Sequence, residues 1–212
     1  MENSRRRFLW PRRAIRRWRA FGDDGRATAL VEAALILPSA LLVFALLIYG
    51  AEGFAINRKV TLTARTVTDL ITQATPTQYS NGSSVMTEAA IDNLLQVASA
   101  VLAPYSASNM TMVVSQVVVN SGGTTATVTW SEPYNGGTAR PAGQVVTLPG
   151  TIGTGQAGNY FVFGEAYYNY TPLNFYMSLS PITLYGSIYL TPRQSTSITC
   201  SNCVTPWTAP SS

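Results

Sequence analysis

Residues 33–51 read AALILPSALLVFALLIYGA, nineteen positions without a charged side chain. As a helix this stretch spans ~28 Å at about 1.5 Å per residue, close to the ~30 Å hydrocarbon thickness of a bilayer. Ten of its residues are Leu, Ile, Val or Phe. At roughly −0.3 to −0.6 kcal/mol each, together they favour insertion by about 3 to 6 kcal/mol. Pro38 removes one helical hydrogen bond and is a candidate kink, which membrane helices accommodate. The competing reading of such a run is a helix buried in a soluble core.

The flanks set a direction. Residues 1–26 hold nine of the fourteen basic groups, all arginine, against three acids, a local charge of +6; the rest of the chain carries −2. Arg58, Lys59 and Arg65 follow the apolar run. The positive-inside rule then keeps the N-terminus cytoplasmic and sends residues beyond about 52 to the opposite face. An arginine-rich arm beside a hydrophobic span suits anionic lipid headgroups, and no nucleic-acid partner is expected. Two other targeting readings use the same region. SRRRFL (4–9) has the look of a twin-arginine export signal, although more than twenty residues separate it from the apolar core. Gly53 and Ala55 have the small-residue spacing of a secretory cleavage site.

Composition narrows the chemistry. The chain has 212 residues, 46% hydrophobic and only 11% charged, enough for a sizeable core and unlike a disordered chain. Histidine is absent and there are two cysteines. That removes His-based triads, His-ligated zinc or haem, and four-cysteine metal sites. Cys200 and Cys203 form a CSNC motif, a candidate disulfide beyond the membrane and a redox pair in the cytosol. Closing so short a loop stabilises by only ~1.9 kcal/mol in the chain-entropy description. GTIGTGQAG (150–158) is glycine-rich but lacks the strand-to-helix setting of a phosphate loop. Glu132 and Glu165 fall on or beside expected strands and leave a carboxylate pair open. Glu165 has Arg140 or Arg193 as alternative partners. No catalytic residue, metal, cofactor or small-molecule substrate is expected.

The remaining pattern predicts an α+β chain. A helix over 28–73 continues past the bilayer, with Ile56, Val60, Thr63, Val67 and Leu70 recurring at three- and four-residue steps. The alternative is two helices hinged near Gly50 and Gly53. A polar connector fills 74–86. A second helix runs from about Thr87, its cap, to Leu102, before Pro104. Five strands follow, at 110–119, 124–130, 144–148, 160–170 and 182–190, with a short edge at 195–199. Consecutive short strands favour an antiparallel sheet with the helices on one face. Alternation over 160–170 puts Tyr160, Tyr168 and Tyr170 on one side and Phe161, Phe163 and Tyr167 on the other, so both sides are expected to be covered. Six segments result: a basic leader (1–27), a transmembrane helix (28–51), its amphipathic continuation (52–73), the connector (74–86), an extracytoplasmic α+β domain (87–199) and a CxxC-containing tail (200–212).

GRATALVEAALILP (25–38), set between a basic leader and a long helix, resembles the N-terminus of type IV pilin-like proteins. The closest likeness is to the TadE/TadG-like minor pilins of the tight-adherence (Tad, type IVc) pilus system. VTWSEPYNGG (128–137), VVTLPG (145–150), GEAYYNYTPL (164–173) and PITLYGSIYLTPRQS (181–195) resemble that family's recurring C-terminal strands. The resemblance implies a pilin-like fold and a single-pass protein of the bacterial inner membrane with a periplasmic domain. It implies a role as a minor pilin or pseudopilin in pilus assembly, supporting adhesion and biofilm formation. The implied partners are the inner membrane, the pilus assembly platform, other minor pilins and a prepilin peptidase. Such a peptidase cuts on the cytoplasmic side. A cut after Gly25 makes Arg26 the first mature residue and Glu32 the seventh; a cut after Ala27 makes Thr28 the first and Glu32 the fifth. Glu32 would then pair with a neighbour's terminal amine and set registry, since an unpaired carboxylate near lipid is costly. The alternative is a membrane-anchored binding or sensing domain that enters no filament.

Overall fold

A computed structural model describes residues 25–73, 78–80, 83–172 and 180–206, with side chains over 28–73, 84–172 and 180–206. The leader before residue 25, Tyr176 and the last six residues of the expected tail lie outside the described residues, as do positions 74–77, 81 and 82 of the connector. The chain divides into two compact units between Gly50 and Ala51.

Helix α1 runs Gly25–Gln73, three residues longer at its start than expected. Its residues up to Gly50 belong to the first unit. From Leu30 to Ile48 every Leu, Ile, Val and Phe is exposed, between 51% and 73%. The helix persists through Pro38, and Ser39 Oγ donates to the Ile36 carbonyl at 2.8 Å. α1 is thus a helix long and apolar enough to cross a membrane, consistent with a single-pass membrane protein.

In the second unit α1 has a buried stripe: Ile56, Val60, Ala64, Val67 and Ile71. The steps of four, four, three and four keep one helical face inward. Ile71 takes the core position expected of Leu70, which is half-buried. Threonines stud this helix although β-branching disfavours them there. Thr61, Thr63, Thr66 and Thr68 each donate to the carbonyl four residues back, so no hydroxyl among these four is wasted. Gly50 and Gly53 both lie inside α1; a Cβ at Gly53 would sit 3.3 Å from the Tyr170 ring, so close packing accounts for that glycine.

Helix α2 (Glu88–Ser99) is capped by Thr87, whose side chain accepts the Ala90 N–H at 3.3 Å. It buries Ile91, Leu95 and Ala98, and a 3₁₀ turn at Ala100–Leu102 precedes Pro104. The main sheet has the order β5-β4-β3-β6-β7, antiparallel throughout, from β3 (Met110–Val119), β4 (Thr125–Tyr134), β5 (Val145–Thr147), β6 (Tyr160–Tyr170) and β7 (Ile182–Leu190). The result is α+β, in a pilin-like layout. The connector also carries structure: β1 (Gln78–Ser80) and β2 (Ser83–Val85) form a second sheet with β8 (Ser197–Thr199). The short edge expected at 195–199 therefore joins β2, in parallel, and not the main sheet. Three-residue strands such as QYS, SSV and SIT show too little alternation to declare themselves.

Both faces of the main sheet carry a buried apolar cluster, the second over part of its face only. Val162, Ala166, Tyr168 and Tyr170 of β6 join α1 and α2 in one core, while Phe161 and Phe163 join Val117, Val119, Val128 and Val146 in another. A bulge between Gln116 and Val117 shifts the β3–β4 register. Trp130 consequently packs with the helices and Val128 with the second core, although both are even-numbered. Each fully buried large apolar side chain contributes roughly 1.5–3 kcal/mol. Gly186 of β7 lets α1 approach closely: a Cβ there would lie 2.8 Å from Thr61 Cα.

Candidate functional site

Three places carry the chain's chemistry. The first is the exposed apolar half of α1. Gly25, Arg26, Ala27 and Thr28, the candidate processing positions, all lie in its first turn, and Glu32 follows one turn later. Glu32 is exposed, as are Leu35 and Ile36 beside it. On the opposite side of Gly50 the helix is tied down by basic side chains. Lys59 Nζ donates to the Val101 carbonyl at 3.2 Å, and Arg193 pairs with Asp69 at 2.7 Å while its N–H reaches the Thr72 carbonyl.

The second place is the sheet face turned away from α1. Glu165 is 1% exposed there. Arg140 holds it through Nε to Oε2 at 2.6 Å and Nη2 to Oε1 at 2.8 Å. Tyr167 and Tyr185 add hydroxyl donations to Oε1 at 2.8 and 3.0 Å. Of the two partners open to Glu165 in the sequence, the structure takes Arg140. Arg140 arrives from the loop after β4. Asn135, at φ 52°, turns the chain there and donates to the Met110 carbonyl at 2.7 Å; Arg140 N–H then donates to Ser131 Oγ at 3.0 Å. The guanidinium also lies 5.2 Å from the centre of the Phe163 ring, which stacks on Tyr189. The carboxylate raises the Arg140 pKa. Burial first, then the hydrogen bond and charge of Glu165, push the Tyr167 hydroxyl up; burial pushes Tyr189 up to about 12. An open cleft of ≈ 490 Å³ lies over this cluster, between β3, β6, the start of β7 and the Gly136–Gln144 loop.

The third place is the C-terminal segment. Cys200 and Cys203 are joined, and the strand before them is gripped at both backbone groups of Ile198. Its N–H donates to Gln116 Oε1 at 2.6 Å, and its carbonyl accepts from Trp130 Nε1 at 2.6 Å. Val204 N–H donates to Glu132 Oε2 at 2.7 Å, and Thr205 pairs with Ser131. Glu132 is 2% exposed, and burial is the main reason its pKa is raised; nearby Asp92 and Glu88 raise it further, and the Val204 N–H opposes them. Among the described residues these three acids bring carboxylate oxygens within 4.8 Å of one another.

The open carboxylate pair does not form. Glu132 pairs across from Val114 and Glu165 across from Val113. Adjacent residues of β3 point to opposite faces, so the two acids are on opposite sides of the sheet. The tyrosines divide: Tyr168 and Tyr170 are buried, Tyr160, Tyr167 and Tyr189 half-buried, and Tyr185 is 47% exposed. Gln116, Trp130 and the Glu165 tyrosines were not predicted as site residues. A lone glutamine inside MVVSQVVV was the available signal, because a buried amide in a strand needs partners. Compared with protein-family models, curated proteins and solved structures, the chain matches none.

Proposed function

We propose that this chain is a membrane-anchored, pilin-like protein that assists assembly of a tight-adherence pilus, with α1 as the assembly element and no catalytic activity. The observation that carries the reading is the composition of α1: its first half exposes every large apolar side chain, with Glu32 the one carboxylate among them. Lipid or neighbouring apolar helices satisfy such a surface, and water does not. Nine arginines before it keep the N-terminus in the cytoplasm, so the α+β unit faces the periplasm. Its partners are the inner membrane, the assembly platform, other minor pilins and, where the leader is cut, a prepilin peptidase. Glu32 fixes registry by pairing with a neighbour's amine.

Glu32→Ala tests the reading. Loss of surface pili at normal protein level supports it. Unchanged piliation supports the alternative, an anchored binding or sensing domain outside any filament, which the open cleft above Glu165 favours. Intact mass of the membrane-extracted protein distinguishes a start at Arg26, a start at Thr28 and a retained leader.

A further inference from the structure

We infer that the cleft over Glu165 is a binding site for a neutral oligosaccharide segment. Its volume, ≈ 490 Å³, suits a small ligand. Its rim presents the hydroxyls of Thr111, Thr138 and Thr183 and the amides of Gln144 and Asn169. Asn169 accepts from Thr183 at 3.1 Å, which leaves its amide nitrogen as a donor beside that hydroxyl with no partner among the described residues. Planar amides pair well with adjacent sugar hydroxyls, since each offers a donor and an acceptor side by side.

Charge selects against ions. Among the described residues, the only ionised groups lining the cleft are Arg140 and Glu165, and they neutralise each other at 2.6 Å. An anion would compete with Glu165 for the guanidinium, and a cation would compete with the guanidinium for Glu165. The apolar side chains of the lining are small or short: Val113, Ala139 and Pro141. Tyr167 lines the floor and Tyr185 lies 4.9 Å from it, ring centre to ring centre. The Tyr167 ring supplies a face for sugar C–H groups, and Tyr185 supports it from outside the lining. Four hydrogen bonds on Glu165 hold both tyrosines and Arg140 in place before any ligand arrives, which lowers the ordering cost of binding. This inference stands whether or not the chain enters a pilus.

The test is a titration of isotope-labelled full-length protein in nanodiscs with cellopentaose, maltopentaose and chitopentaose, read by amide chemical shifts. At least one of the three should saturably shift Thr111, Thr138 and Asn169. The double variant Gln144→Ala, Asn169→Ala should weaken that binding roughly tenfold or more at an unchanged melting temperature. Both side chains are exposed; if the double variant nevertheless melts lower, Thr138→Val, also exposed, replaces it under the same criterion. An anionic oligogalacturonide should not displace the neutral sugar. Absence of shifts with all three sugars, shifts confined to other surfaces, unchanged affinity in the variant, or displacement by the anion would each overturn the inference.

Discussion

At Gly164 the Thr68 side chain of α1 lies tight against β6. A Cβ at that position would overlap Thr68 Oγ1 and lie 3.2 Å from both Thr68 Cβ and the Ala64 carbonyl. Thr68 has little freedom to yield. It is fully buried, and its hydroxyl donates to the Ala64 carbonyl at 2.7 Å. Gly164→Ala must therefore displace the helix or break that bond. Overpacking costs about 1–3 kcal/mol. A lost buried hydrogen bond adds about 1 kcal/mol. The total, about 2–4 kcal/mol, lowers the melting temperature by about 4–16 °C for a unit of this size. Thr68→Ala removes the overlapping oxygen and leaves contacts no closer than 3.2 Å. The double variant should therefore be less destabilised than the sum of the single changes, by about 1–3 kcal/mol. Thermal and urea unfolding of the four proteins in detergent, followed by circular dichroism, measures this coupling. Additive losses, or a Gly164→Ala protein within about 0.5 kcal/mol of wild type, would show that α1 does not pack on β6 as described.

Glu132→Gln keeps an acceptor for Val204 N–H and removes a buried charge facing Asp92 and Glu88. The folded pKa of Glu132 is raised, so wild-type stability falls as pH rises from 4.5 through that folded value; the advantage of Glu132→Gln should grow over the same window and be smallest in acid, as unfolding at pH 4 and 7 will show. Tyr189 titrates at about 12 in the folded chain against 10 in the unfolded one, so stability should drop from pH 10 to 12, and Tyr189→Phe should flatten that drop. Gln116→Leu leaves the buried Ile198 N–H without its acceptor; a loss of about 1–3 kcal/mol and faster proteolysis after residue 196 are expected.

The long elements were legible because their signals repeat. α1 and α2 show three- and four-residue apolar steps, and β3, β6 and β7 lie within the strands expected of them. Pairing was legible only where neighbours in sequence are neighbours in space. β3–β4 and the glycine turn between them fit a hairpin, whereas the parallel pairing of β8 with β2 joins residues more than a hundred positions apart. The face of Trp130 depends on a one-residue bulge that no periodicity announces. The Glu165 cluster was half visible. Alternation places Phe163, Glu165 and Tyr167 on one face, and the sequence offered two arginines. The choice of Arg140 is made by the Asn135 turn and by Asp69, which takes Arg193. The C-terminal grip was hidden because its contacts run to backbone groups, which every sequence supplies equally.

The central claim is that α1 anchors the chain in the inner membrane with the α+β unit outside it. External protease applied to spheroplasts expressing a C-terminally tagged chain tests it most directly. The tag should be lost while an N-terminal fragment stays in the carbonate-washed membrane. A tag that survives until the cells are lysed, or a full-length chain released by carbonate, would contradict the claim.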